Sequence, residues 1–171
     1  MCEEQPDFLF VQTRSPLVVR DIDLLARFSE RVRISVTVET DLEPIRKAFS
    51  PFAPPIPVRL RALGRLKEAG LPAQAAVSPV LPCSETFART LSRVVDEVCV
   101  DDFFMGDGSF GRRTERLGIR RIFDQLGLSE WYDRKAYLRV VQQLKTEFPD
   151  SAISVGREGF LPRRPNGSRP V

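Results

Sequence analysis

From its amino end, the chain alternates short apolar runs with stretches in which apolar residues recur every three or four positions. DFLFVQT, Asp7 to Thr13, has the length and composition of a buried strand. After it, Val18, Ile22, Leu25 and Phe28 fall at helical spacing and predict a helix through Glu30. VRISVTVET, Val32 to Thr40, is rich in β-branched residues and reads as a second strand. Asp41 is placed to cap a short helix ending near Ser50, where SPFAPPIP interrupts the pattern. Leu60, Leu63 and Leu66 mark the next helix, closed by Gly70 with Pro72 just beyond.

A third strand is expected within Leu71 to Pro82, then a helix capped by Ser84 that buries Phe87, Leu91, Val94 and Val95. Glu97 to Phe104 reads as the fourth strand and leads into a glycine-rich loop. Beyond the loop, Ile119, Ile122, Phe123 and Leu126 predict a short helix ending at Gly127. Asp133 then caps a longer one faced by Tyr137, Val140, Val141, Leu144 and Phe148, and Ser151 to Gly156 is a last short strand. Strand followed by helix, repeated, predicts an α/β fold with a parallel sheet. The reading is one domain over residues 1–160 and a basic tail, 161–171, expected to be disordered.

The carboxyl ends of the expected strands are unusually polar. Thr13, Arg14 and Ser15 end the first; Thr37, Glu39 and Thr40 the second; Gln74 and Ser78 lie in the third; Asp101 and Asp102 near the end of the fourth. Ligands in parallel α/β folds bind at these ends, so a shared site is expected there.

Composition removes several chemistries. The chain has no histidine, which excludes a Ser-His-Asp triad, a Cys-His pair and histidine-ligated zinc. Cys2, Cys83 and Cys99 form no C-x-x-C pair, and Cys99 sits in an apolar strand as a small buried hydrophobe. No apolar run is long enough to span a bilayer, and MCEEQPDFLF is acidic where a secretory signal is basic; the cytoplasm is the expected compartment. The net charge is only +3, part of it in the tail Arg163 to Val171, which offers a weak nucleic-acid contact at most.

FMGDGSFGRRTER, Phe104 to Arg116, matches G-x-G-x-x-G at residues 106, 108 and 111. A dinucleotide turn needs a helix after its third glycine and an acidic strand end about 20 residues on. The residues after Gly111 have no apolar face, and two helices follow where a strand is needed, so the dinucleotide reading is set aside. Two readings of the loop stay open. Its glycines serve a turn in which Arg112 and Arg113 pair with Asp101, Asp102 or Asp107, or the same arginines and backbone N–H groups hold an anion.

The ordered segments FVQTRSPLVVRDIDLL, VRISVTVETD, RLRALGRLKEAGLPAQAAVSPVLPC and VDDFFMGDGSFGRRTERLG, with SEWYDRKAY and ISVGREGF after them, resemble the spore photoproduct lyase-like family of radical SAM proteins. The resemblance implies a partial (β/α) TIM-type barrel that holds S-adenosylmethionine and a [4Fe-4S] cluster and generates a 5′-deoxyadenosyl radical. It implies an S-adenosylmethionine pocket at Arg14, Thr37, Glu39 and Ser78. Arg14 stands where the lyase branch has a lysine near the methionyl carboxylate, and Glu39 is placed to reach the ribose or amino group. Asp101, Asp102, Asp107, Ser109, Arg112 and Arg113 then form a substrate-side loop.

One departure is large. The family's cluster loop is C-x-x-x-C-x-x-C, upstream of the segment matching DFLFVQT, and Cys2, Cys83 and Cys99 lack that spacing. The expectation is therefore a C-terminal portion of the barrel, incomplete on its N-terminal side, without a metal site and inactive alone. Its open edges would favour self-association. The alternative is a stand-alone nucleotide- or anion-binding α/β module using loop 101–113.

Overall fold

The computed structural model describes residues 6–105, 108–109 and 111–162. Asp107, Cys2 and the tail from Arg163 lie outside them, so the readings made there concern residues the structure does not describe. Five strands form one parallel sheet: β1 Leu9–Thr13, β2 Val32–Thr37, β3 Ala73–Val77, β4 Val98–Val100 and β5 Ile153–Val155. Their spatial order is the order of the chain, β1-β2-β3-β4-β5. The result is an α/β sheet of the partial-barrel kind, flanked by helices and not closed on itself.

The two faces of the sheet differ because side chains alternate along each strand. On one face, Val32, Ile34 and Val36 of β2, Ala75 and Val77 of β3, and Val98 and Val100 of β4 join the main core. The helices α3 Ile56–Glu68, α4 Phe87–Ser92 and α7 Ala136–Leu144 cover this face. They contribute Leu63 and Leu66, Phe87 and Leu91, and Val140 and Leu144, all of them buried in the same cluster. The opposite face is polar: Arg33, Ser35, Thr37, Gln74 and Asp101 are buried there with Cys99.

The polar face is covered by the carboxyl-terminal turn Gly156–Phe160. Arg33 Nη1 donates to the carbonyls of Gly159 at 3.3 Å and Leu161 at 2.9 Å, and Arg33 Nη2 pairs with Glu97 at 3.0 Å. Gln74 Nε2 donates to Gly159 O at 2.8 Å and to Ser35 Oγ at 3.1 Å. Gly159 lies directly over Cys99, and Phe160 meets Phe10 edge-on at 5.9 Å.

Local structure departs from expectation in four places. The helix expected from Val18 to Glu30 is broken into a 3-10 turn Pro16–Asp21, a short helix α1 Ile22–Ala26 and a second 3-10 turn Ser29–Arg31. Its apolar residues do have helical spacing, but Pro16 opens it as 3-10 and Ser29 takes a left-handed φ of 49°. Asp41 caps no helix. Helix α2 Glu43–Phe49 starts without a side-chain cap, while the Asp41 carboxylate accepts from the backbone N–H and hydroxyl of Ser84. Ser84 in turn is not an N-cap, since α4 begins at Phe87; its hydroxyl accepts from Thr86 N at 3.1 Å.

The fourth departure is in the glycine loop, where a five-residue helix, α5 Arg112–Arg116, does follow Gly111. It has no apolar stripe because only Thr114 is buried, which is why periodicity did not reveal it. Helix α6 Ile119–Gln125 follows it, and Asp133 accepts from Lys135 N at 2.7 Å just ahead of α7.

Candidate functional site

Segments leaving the carboxyl ends of β2, β3 and β4 fold back into a second, smaller apolar cluster. Ile45, Leu81, Phe123 and Tyr132 are its buried members, with Phe49, Phe103 and Phe104 packed against them. Phe49 of α2 meets Phe123 of α6 with ring centroids 4.6 Å apart and planes tilted by 54°. The loops are also tied across: Thr40 Oγ1 donates to Pro82 O at 2.6 Å, beside the Asp41–Ser84 contact. The strand ends are thus held by a rigid collar, which is what a ligand site on loops requires.

Three side chains meet at the carboxyl ends of β1 and β2. Glu39, 1% exposed, lies just beyond β2, and both of its carboxylate oxygens are engaged. Arg14, just beyond β1, donates from Nε to Oε1 at 2.6 Å, and Arg59 of α3 donates from Nη1 to Oε2 at 2.7 Å. Arg59 Nη1 also donates to Thr37 O at 2.7 Å. Burial alone would push the Glu39 carboxyl up; Arg14 and Arg59 outweigh that and hold it below the usual carboxylate range.

Two guanidiniums against one carboxylate leave a single positive charge at the strand ends. Arg59 is fully buried, and its Nε and Nη2 have no hydrogen-bond partner among the described residues. The Arg14 side chain is 43% exposed, so the surplus charge faces the opening. Such an arrangement favours an anionic group at Arg14, and a carboxylate matches the planar end of a guanidinium.

The structure therefore brings Arg14, Thr37 and Glu39 together, and adds Arg59, which sequence reasoning missed. Arg59 sits between Ile56 and Leu63 on the buried stripe of α3, and a charge on an apolar stripe was the available signal. Ser78 ends β3 at a cis peptide bond to Pro79 and is only partly buried. No hydrogen bond links it to the other three among the described residues.

On the substrate-side loop, Asp101 and Asp102 are both 6% exposed. Burial pushes the Asp101 carboxyl up to about 6; the bond from Asp102 N opposes this, and the Asp102 charge adds to it. Asp102 Oδ1 accepts from Phe104 N at 2.7 Å and Met105 N at 2.5 Å, while Oδ2 is buried without a partner among the described residues. A cleft of about 420 Å³ opens beside it, lined also by Phe104, Met105, Gly108, Arg134 and Tyr137. Arg134 stacks over Phe104 at 5.2 Å.

The expected pairing of the loop arginines is not seen among the described residues. Arg112 and Arg113 are exposed and bond Ser109: Arg112 Nε donates to its carbonyl at 3.4 Å, and its hydroxyl accepts from Arg113 N at 3.0 Å. Asp101 and Asp102, being buried, are committed to backbone N–H groups instead. Gly111 has φ of 91°, and a Cβ there would stand 2.6 Å from Phe104 Cδ1, so the third glycine serves a turn and a close approach.

Metal ligation does not fit the described residues, which contain no group of three His, Cys, Asp or Glu side chains able to hold an ion. Cys83 and Cys99 both have thiols pushed up to about 12, chiefly by burial, and occupy separate environments. Cys83 faces Gln143, and Cys99 lies under the carboxyl-terminal turn. No helix among the described residues is long and apolar enough to cross a membrane.

A five-stranded, unclosed parallel sheet with outer helices and a polar strand-end site defines a partial (β/α) barrel. A solved structure of spore photoproduct lyase complexed with dinucleoside spore photoproduct shares this fold. The TM-score is 0.53 at 15% identity, over 86% of this chain and 50% of that one. In sequence, the chain is 39% identical over 72 residues to an uncharacterized protein of Acidianus two-tailed virus, covering 42% of this chain and 24% of that protein. It is 35% identical over 74 residues to an uncharacterized protein of Methanocaldococcus jannaschii, covering 43% and 28%. The matched segments thus span about a quarter of each curated relative. No family model matches the chain.

Proposed function

We propose that this chain forms the cofactor-orienting wall of a radical SAM barrel of the spore photoproduct lyase-like kind. Arg14 binds the methionyl carboxylate of S-adenosylmethionine, and Thr37 and Ser78 border the same pocket. The observation that carries the reading is the Arg14–Glu39–Arg59 set, whose surplus positive charge sits at the carboxyl end of a parallel sheet. S-adenosylmethionine would supply the reactive group, and the residues of this chain would bind and orient it. We assign Asp101, Asp102, Ser109, Arg112 and Arg113 to the substrate side, where Asp102 lines the cleft beside Phe104. The lyase neighbour holds a dinucleoside, which makes a nucleoside-like substrate reasonable there. Because Cys2, Cys83 and Cys99 lack the C-x-x-x-C-x-x-C spacing, we propose that the chain by itself shows no radical chemistry.

The test is calorimetric titration with S-adenosylmethionine and with its decarboxylated analogue, which lacks only the group assigned to Arg14. A charge-assisted hydrogen bond contributes about 1.5–3 kcal/mol, so S-adenosylmethionine should bind roughly 10- to 100-fold more tightly. Equal affinity for both would refute the carboxylate assignment. Tight binding of ordinary nucleotides, lost in Arg112→Ala, would instead favour an anion site on loop 101–113.

A further inference from the structure

We infer that Arg59 is a positioning residue: acting through Glu39, it fixes the Arg14 guanidinium so that the two Nη groups form the carboxylate-binding end, and Glu39 itself does not touch the ligand. This rests on the S-adenosylmethionine reading of the site given above.

Arg14 follows an edge strand, is 43% exposed, and has a long side chain with many rotamers. Its Nε–Oε1 bond to Glu39, at 2.6 Å, is the one hydrogen bond that orients it among the described residues. A carboxylate held by that bond alone would be a poor anchor, since Glu39 is itself on an extended segment past the end of β2. Arg59 removes this freedom. It reaches from the buried stripe of α3 to Glu39 Oε2 and to Thr37 O, both at 2.7 Å, and so ties the carboxylate to helix and strand at once.

The chain of contacts has two consequences. With both oxygens occupied, Glu39 has little capacity left for a ribose hydroxyl or an ammonium group, which is the role the family resemblance implies. And because Arg14 spends its Nε on Glu39, its exposed end presents Nη1 and Nη2 side by side, the fork that receives a carboxylate in two parallel bonds. Arg59 also sets the sign of the site. Without it, Arg14 and Glu39 would be a neutral pair; with it, the set carries one positive charge toward the opening.

Two measurements on the full chain separate this inference from the reading it rests on. The first needs no ligand: the Arg14 Nε–H resonance, assigned with Arg14→Lys, should be protected from solvent exchange in the wild type. It should become fast-exchanging in Arg59→Met. A resonance equally protected in Arg59→Met would overturn the inference. If that variant does not fold, the double variant E39Q/R59M removes both buried charges together and keeps the volume, a change buried pairs tolerate better. Its comparison is E39Q, which keeps an amide oxygen as acceptor: E39Q should retain more protection than E39Q/R59M, and equal exchange in the two would overturn the inference.

The second measurement is affinity. Arg59→Met, or the double variant, should lose about 10-fold toward S-adenosylmethionine and nothing toward the decarboxylated analogue. In an Arg14→Met background, Glu39→Gln should cost nothing further. A further loss of several-fold would mean that Glu39 touches the ligand directly and would sink the inference. A wild type with a protected, Arg59-dependent Nε–H that does not discriminate between the two ligands would count against the cofactor reading and leave the positioning role standing.

Discussion

Replacing Gly159 with alanine places a methyl group where the structure has no room for one. The new Cβ would stand 2.0 Å from Cys99 Sγ and 2.6 Å from Cys99 Cβ, with Ser154 Cβ at 3.3 Å. Cys99 is on a central strand and cannot retreat, so the Gly156–Phe160 turn must lift off the polar face of the sheet. Lifting it takes partners from two buried groups, Gln74 and Arg33, which keep only Ser35 and Glu97 respectively. Gln74, 1% exposed, loses its bond to Gly159 O, and Arg33, 7% exposed, loses the carbonyls of Gly159 and Leu161. Each buried donor left unpaired costs about 1–3 kcal/mol. The Phe10–Phe160 edge contact adds about 0.5–1.5 kcal/mol. The expected destabilisation is about 3–5 kcal/mol, or roughly 10 °C in Tm for a domain of this size.

Thermal and urea unfolding read the energy. Thiol labelling in a Cys2→Ser/Cys83→Ser background reads the mechanism, because the Cys99 thiol is buried with its pKa raised to about 12 and should be inert until the turn lifts. Gly159→Ala should make Cys99 reactive. Cys99→Gly, which removes both of the closest atoms, should make the alanine less costly than the two single effects sum to. A Gly159→Ala protein with an unchanged Tm and an unlabelled Cys99 would refute the steric argument.

Two further outcomes follow from particular contacts. Arg46, 5% exposed, donates to the carbonyls of Ser50, Pro51 and Ala53 and pairs with Glu43, so Arg46→Met should destabilise the fold by about 2–4 kcal/mol. Phe52, on the same loop but fully exposed, should tolerate serine within about 0.5 kcal/mol; urea titrations of the two variants check the contrast. Asp101, with its carboxyl raised to about 6, keeps a proton in the folded state that an unfolded aspartate near 3.9 has already released. Its stabilising share is complete below about pH 4 and is lost as pH rises through 6, at most about 3 kcal/mol. Asp101→Asn should therefore gain stability over the wild type between pH 5 and 7.5; denaturation at both pH values that gave parallel results would contradict this.

The sheet and its main core were legible because the strands are β-branched runs and the covering helices carry regular apolar stripes. Val32 to Thr37 and the Leu60–Leu63–Leu66 series announce themselves in this way. Periodicity failed where an element is too short or too polar to bury a face, as in α5, or where a proline opening imposed a 3-10 turn, as after Ser15. It also misread local polar residues as caps. Asp41 and Ser84 satisfy one another across two loops, a long-range pairing that no local rule supplies. In the site, Arg14, Thr37 and Glu39 stood out as polar residues at strand ends. Arg59 was hidden because a helix position is judged by its neighbours, and its partner is 20 residues away in another element.

The strand order has a consequence for how this chain is made. Because β1 to β5 lie side by side in the order of the sequence, each new strand pairs with the one synthesised just before it. No strand waits for a later one to be inserted between itself and its predecessor. Among these strands the sheet can grow in chain order as the chain leaves the ribosome, one strand-helix unit at a time, although the connections from Thr37 to Ala73 and from Val100 to Ile153 are long. The Gly156–Phe160 turn reaches back from the last strand to Arg33 on the second, so the polar face of the sheet cannot be covered until that turn has been made.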